Sequence, residues 1–251
     1  MPGWIIPPPR TPTKSAAEHA RARRRKVESL EARGLLASPR IKAALLAVRR
    51  EDFVPREYRD YAYQEVPLPL PGAAATISCP HSYPLFYEPL GLDRGQRFLE
   101  IGTGSGYGAA VAREVVGAQG LVVSVEIDPL TQDFARRNLE RAGYRDVVLV
   151  LGDGWLGHPA AAPYDRIAVT AACEEMPPPL LAQLAPGGRA IAPLTDAQGR
   201  QILTLITKQA DGAMRREELC EVLYVALRRR EGEAPSPRAA SRAPPHPRGS
   251  R

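Results

Sequence analysis

At 251 residues and 44% hydrophobic content, the chain is long enough for one sizeable α/β domain with extensions. No apolar run approaches the roughly 20 residues of a membrane span, and the opening MPGWIIPPPR has too short an apolar core for a secretory leader. Cys79, Cys173 and Cys220 are isolated and odd in number, which excludes a disulfide framework and a C-x-x-C site and suits a reducing, cytoplasmic interior.

The net charge of +6 is unevenly spread. Residues 1–26 hold seven basic and one acidic residue, residues 228–251 hold seven basic and two acidic, and the stretch between is mildly acidic. Basic ends suit nucleic acid or a membrane surface, but charge runs without aromatics read as solvated tails. Neither nucleic acid nor membrane is therefore expected as a partner.

Residues 1–14 are proline-rich, with Pro2, Pro7, Pro8, Pro9 and Pro12, and are expected to be extended and disordered. A helix is predicted over 15–33, with Ser15 as cap, Glu18 three residues on and Gly34 as its stop. A second runs from Ser38-Pro39 to about Arg50, with Ile41, Leu45 and Val48 on one face. Both are expected to pack on the main sheet or its site edge. Residues 53–63 read as irregular and aromatic. The stretch PLPLPGAAATISCPH, residues 67–81, is too apolar to face water, so it should lie over the sheet edge or a ligand. Residues 85–92 read as a short helix.

Residues 98–108, FLEIGTGSGYG, read as a strand, a glycine turn and a helix opening, where α/β proteins hold nucleotide-like ligands. The spacing of Gly102, Gly104 and Gly106 is G-x-G-x-G, not the dinucleotide G-x-G-x-x-G. Alone it is also compatible with a tight strand-to-helix connection. Its neighbours decide. A second strand over 121–125 ends in Glu126 and Asp128, and a third over 147–151 ends in Gly152-Asp153-Gly154. Three strands thus end in acids or glycines on one sheet edge. Further strands are expected at 166–170, 189–194, 202–208 and 219–227, the last two as an edge hairpin, with a short helix over 177–184 and a turn at 186–188. This makes an α/β fold: a doubly wound seven-stranded sheet with an antiparallel edge. The folded domain is expected over 15–227, followed by a disordered basic tail over 228–251.

No G-K-[ST] is present, so a triphosphate cradle is not expected. Acids suit a nucleoside with a cationic tail, and S-adenosylmethionine is such a ligand. Glu126 would hold the ribose hydroxyls, Glu100 the amino-acid part directly or through water, and Asp153 would lie near the adenine amino group. A nicotinamide site is the rival, disfavoured by the glycine spacing.

The segments FVPRE (53–57), PLPLPG (67–72), TISCPH (76–81), LEIGTGSGYG (99–108), GDGWLG (152–157), APYDRI (162–167) and LAPGGR (184–189) resemble the protein-L-isoaspartate (D-aspartate) O-methyltransferase family. The resemblance spans about residues 25–227, and 223–227 resembles the family's closing strand. It implies a Rossmann-like S-adenosylmethionine-dependent methyltransferase fold over 15–227. It implies methyl transfer to the free α-carboxylate of L-isoaspartyl residues in damaged proteins and peptides, the first step of their repair. Ser78 matches the family's active-site serine. Thr76, Ile77 and His81 match the loop that covers the cofactor, and Thr103 and Ile127 fall with Gly102, Gly104, Gly106, Gly152 and Gly154 in the cofactor-binding segments. No metal is implied, and a monomer is expected. Ala73, Ala74 and Ala75, Ser82-Tyr83-Pro84 and Ala226 depart from the family pattern, all outside the cofactor segments.

Three other readings differ in chemistry. One is a related carboxylate methyltransferase acting on a particular partner peptide. Another is a non-catalytic cofactor-binding adaptor, against which Ser78 and the complete glycine loop argue. The last is a nucleic-acid methyltransferase, against which the missing N/D-P-P-Y motif argues. His81 suits either loop packing or ligand contact. Asp165 reads as the end of a strand connection, and Cys79 as a bystander, because the reaction needs no covalent intermediate.

Overall fold

The computed structural model describes residues 6–72 and 75–229. Residues 1–5, 73, 74 and 230–251, and with them most of the basic tail and two of the three alanines of the 73–75 departure, lie outside the described residues.

The chain opens along 6–14 without regular structure. Its backbone is held by a turn at 56–61: the Arg10 amide donates to the Glu57 carbonyl at 3.0 Å and the Thr13 amide to Asp60 Oδ2 at 2.9 Å. Helix α1 (Ala16–Ala32) begins where Ser15 and Glu18 close the expected capping box. Helix α2 (Pro39–Ala47) follows the Ser38 cap. The main contacts of both helices are with other helices rather than with the strands. Helix α1 lies on α2, and α2 lies on α3 (Ser82–Leu90) and α4 (Tyr107–Val116). The N-terminal helices are an outer layer because α3 and α4 already cover that sheet face.

The main sheet contains β3 (Arg97–Ile101), β4 (Leu121–Glu126), β5 (Val148–Leu151), β6 (Tyr164–Val169), β7 (Leu184–Thr195), β8 (Gln201–Lys208) and β9 (Met214–Val222), in the order β5-β4-β3-β6-β7-β8-β9. The first five are parallel and the last two pair antiparallel, as expected for a doubly wound sheet with an antiparallel edge. The pleat divides the core. Phe98, Val122, Ala168 and Ile191 face the α2–α4 layer, while Leu99, Val123, Ile167 and Ala190 face the layer of α6 (Pro178–Ala182). From β3 the chain steps outward through β4 and β5, the latter across α5 (Pro129–Ala142), and then returns to the other side of β3 as β6. The crevice at the carboxyl ends of β3, β4 and β6 is therefore the topological switch point, where such sheets bind ligands.

Two boundaries differ from expectation. The predicted turn at Pro186-Gly187-Gly188 lies inside β7 as an irregularity, where the register with β6 jumps between Tyr164 and Arg166. The predicted last strand over 219–227 begins and ends earlier, as β9. Its first half is MRREE, a run too charged to read as a strand, yet tolerated because it is an exposed edge. Tyr224 is still tied to the Gln201 side chain of β8, and the chain then leaves the sheet edge. The Ala172 amide donates to the Val225 carbonyl at 2.8 Å and the Leu227 amide to the Ala172 carbonyl at 2.7 Å, so this segment crosses to the strand tips.

Candidate functional site

The site is built on the tips of β3 and β4. All three glycines after β3 have positive φ, 95° at Gly102, 54° at Gly104 and 84° at Gly106, and the loop turns directly into α4. At Gly106 the constraint is double, since a Cβ would lie 3.0 Å from Leu139 on α5. Close approach by a ligand is not the reason for every predicted glycine. A Cβ at Gly102 would meet the Thr170 hydroxyl at 2.4 Å, and one at Gly154 would meet Ile101 Cγ2 at 2.3 Å. Those two pack against protein.

Glu126 ends β4 with its carboxylate buried and turned to the loop. Its Oε2 accepts the Gly104 amide at 3.0 Å, and its Oε1 accepts the amides of Ile127 at 3.0 Å and Asp128 at 3.1 Å. One carboxylate thus fixes the glycine loop and the chain after β4. Gly152 is tied to the same tip, donating to the Glu126 carbonyl at 2.9 Å. Asp153 accepts from the Trp155 amide at 2.9 Å and begins a 3-10 turn over Gly154–Leu156. The Arg229 guanidinium lies over the Trp155 ring at 4.6 Å, with its Nε 3.9 Å from Asp153 Oδ2. Leu227 lies against Gly154. The C-terminal segment therefore borders the site, which sequence pattern hid because 223–227 reads as one more strand.

Glu100 is placed differently from Glu126. It is buried beneath the loop, with Oε2 2.6 Å from the Ser124 hydroxyl, which lies 2.7 Å from that of Thr103. A Cβ on Gly108 would lie 2.2 Å from Glu100 Oε1, so the glycine after Tyr107 leaves the acid its room. Ser124 was missed by sequence reasoning; its signal is a lone hydroxyl in the buried strand LVVSVE. Burial drives the Glu100 carboxyl up to about 8, against the Ser124 hydrogen bond and with some help from Glu126.

That shift predicts a pH dependence. The folded value lies above the ordinary 4.5, so the folded chain keeps this proton where the unfolded chain loses it. The stabilisation is complete below the ordinary value and is lost as pH rises through about 8. Urea unfolding is expected to show roughly 2–4 kcal/mol less stability above that range than near pH 5. Glu100→Gln is expected to flatten that slope, and an unchanged slope would contradict the assignment.

The loop 67–81 lies over the site, as its apolar composition requires. Strands β1 (Leu68–Pro69) and β2 (Thr76–Ile77) pair antiparallel, with Leu68 opposite Ile77. The Gly104 Cβ position lies 3.6 Å from Leu70 and 3.8 Å from the Thr76 carbonyl, so this flap sits directly on the glycine loop. The Thr131 hydroxyl donates to the Pro71 carbonyl at 2.8 Å and staples the flap to the start of α5. Ser78 follows β2, and its carbonyl accepts Nη2 of Arg50 at 2.6 Å. Burial pushes the Cys79 thiol up to about 11, which removes it as a thiolate nucleophile. His81 turns to Glu65, Nδ1 to Oε2 at 2.7 Å, with Lys26 on the other carboxylate oxygen at 2.8 Å. Burial would raise the Glu65 carboxyl, but these two partners hold it at about 2. The His81–Glu65 pair ties the end of the flap to residues 26 and 65. Helix α3 starts at Ser82, three residues before its predicted start, and Tyr83 packs edge-on to Tyr107 at 4.7 Å.

The arrangement thus joins Glu126, Ile127, Gly152 and Asp153 with the glycine loop at one crevice, and the flap lies on that loop through Leu70 and the Thr76 carbonyl. Its donor set fits an adenosyl sulfonium: acids at the strand tips for hydroxyl and amino groups, and an apolar roof over the loop.

Comparison with known proteins agrees with this chemistry. Residues 21–232 match the family described as protein-L-isoaspartate(D-aspartate) O-methyltransferase (PCMT). The protein-L-isoaspartate O-methyltransferase of Hyperthermus butylicus is 45% identical over 214 residues, covering 82% of this chain and 88% of the relative. That of Methanopyrus kandleri is 45% identical over 213 residues, covering 84% and 93%. A solved protein-L-isoaspartate O-methyltransferase superposes with a TM-score of 0.75 at 38% identity; the alignment covers 81% of this chain and 65% of that one. A Plasmodium falciparum structure described as a putative member, in complex with S-adenosyl-L-homocysteine, shares the fold with a TM-score of 0.74 at 23% identity, covering 82% and 98%.

Proposed function

The chain belongs to the protein-L-isoaspartate O-methyltransferase family, and from that premise we propose how its residues divide the work. The enzyme transfers a methyl group from S-adenosylmethionine to the α-carboxylate of L-isoaspartyl residues in damaged proteins and peptides. Bound in the crevice, the cofactor supplies an already activated methyl group on a sulfonium. Glu126 accepts the ribose hydroxyls, Asp153 lies at the adenine, and Gly102, Thr103, Gly104 and Gly106 with Ile127, Gly152 and Gly154 shape the cradle. Glu100 supports the loop from below through Ser124 and Thr103. Thr76 and Ile77 cover the cradle, and His81 anchors their flap.

Ser78 is the catalytic residue in this reading. The substrate carboxylate, with an ordinary pKa of about 4, is ionised near neutrality and needs no general base. The protein's task is to hold it in line with the methyl group at about 3–3.5 Å and to keep water out. A serine hydroxyl donating to one carboxylate oxygen orients the other without competing as a nucleophile. The observation that supports this reading is the flap seated on the glycine loop through Leu70 and the Thr76 carbonyl, with Ser78 two residues beyond Thr76. A methyltransferase domain over 15–227 and a monomer belong to the same proposal. A cytoplasmic location also belongs to it, supported by free Cys79, Cys173 and Cys220 and by described helices too short or polar to cross a membrane.

The test is a pair of peptides differing only in one linkage, isoaspartyl against aspartyl, incubated with labelled S-adenosylmethionine. Only the isoaspartyl peptide is expected to gain label, and equal labelling of both would refute the substrate assignment.

A further inference from the structure

Arg50 is 1% exposed and is the largest fully buried side chain among the described residues. Arginines are almost never so buried unless paired. No carboxylate lies within ion-pair distance of this one among the described residues. Its neighbour Glu51 turns instead to Tyr63, Arg23 and Arg49. The guanidinium lies 5.2 Å from the Tyr107 ring centroid and 5.6 Å from that of Tyr83. Nε donates to the Ala62 carbonyl and Nη2 to the Ser78 carbonyl, both at 2.6 Å. Nη1 is buried and makes no hydrogen bond.

We propose that Arg50 is a positioning residue: a buried positive charge that fixes Ser78 and makes the substrate pocket prefer a carboxylate to an uncharged group. The proposal rests on the reading that Ser78 receives the substrate carboxylate. A buried cation held by carbonyls and rings, with no carboxylate partner among the described residues, is costly, and an anionic ligand nearby relieves part of that cost. An acid placed beside Arg50 would stabilise the fold but cancel the field felt at Ser78. The aromatic faces of Tyr83 and Tyr107 steady the guanidinium while leaving its net charge intact.

Covalent reach puts a carboxylate held by the Ser78 hydroxyl roughly 7 Å from the guanidinium. At an effective dielectric near 20, that separation corresponds to roughly a 10- to 50-fold preference for the charged ligand. Arg50 acts through field and backbone, so its test must read charge discrimination rather than activity alone.

An isoaspartyl peptide and its α-carboxamide analogue are titrated into the enzyme saturated with S-adenosylhomocysteine, using the parent, Arg50→Gln, Arg50→Lys and Ser78→Ala. Arg50→Gln is expected to shrink the preference for the carboxylate by about tenfold or more. Arg50→Lys keeps a cationic group but not the fork that holds two carbonyls, so it is expected to keep part of that preference, and product affinity is expected to stay within about twofold in both. An undiminished preference in Arg50→Gln, or a lost one in Arg50→Lys, overturns the proposal. Should Arg50→Gln fail to fold, Arg50→Lys decides alone by the same criterion. If Ser78→Ala binds both peptides as the parent does, the serine reading fails, and with it the proposal. If Ser78→Ala weakens the carboxylate and Arg50→Gln does not, only the arginine proposal fails.

Discussion

Ser78→Ala is expected to lower turnover of an isoaspartyl peptide by about 10²-fold while leaving S-adenosylhomocysteine affinity within about twofold. The hydroxyl is needed for aim, not for proton transfer, so its loss lets the carboxylate rotate away from the in-line geometry. The fold is expected to tolerate the change. Position 78 is anchored through its backbone carbonyl, which Arg50 holds whatever the side chain. The cradle's central contacts belong to Glu126, on a different element. Isothermal titration with the product, run beside a labelled methyl-transfer assay, separates the two quantities. Parallel loss of binding and turnover would make the serine a structural residue and move the chemistry elsewhere.

Glu126→Ala is expected to weaken S-adenosylhomocysteine binding by about 3 kcal/mol, roughly 150-fold, through loss of two charge-assisted hydrogen bonds to ribose hydroxyls. It is also expected to lower thermal stability, because the amides of Gly104, Ile127 and Asp128 lose their common acceptor. Glu126→Gln should fall between parent and Ala, since one amide oxygen still serves Ile127 and Asp128 while the NH2 meets the Gly104 donor. Calorimetry with the product and a thermal melt measure both effects. Near-parental affinity in the alanine variant would remove the ribose from this strand tip.

Much of the cradle was legible because its signals are local. A glycine loop must follow a strand, and an acid at the end of the next parallel strand must reach the same edge. The readable N-termini were those with short-range chemistry, such as the Ser15–Glu18 box and Ser38-Pro39. The failures were non-local. The strand MRREE was illegible because an exposed edge relaxes the demand for alternating apolar residues. Leu223 to Leu227 has the right alternation for a strand but takes its partners from Ala172, beyond the tip of β6. Glu100 and Glu126 look alike in sequence, and only the structure shows that the first accepts from Ser124 while the second accepts the amides of Gly104, Ile127 and Asp128.

The chain's order of apolar runs, glycines and acids by itself determined a doubly wound sheet, the crevice at its strand tips and an adenosyl ligand there. Only the tertiary structure decided that the flap rests on Gly104, that the C-terminal segment borders Asp153, and that a buried Arg50, without a carboxylate partner among the described residues, holds the Ser78 carbonyl. The reason is that periodicity records which face of an element is buried, whereas the partner across that face is fixed by packing of segments distant in the chain.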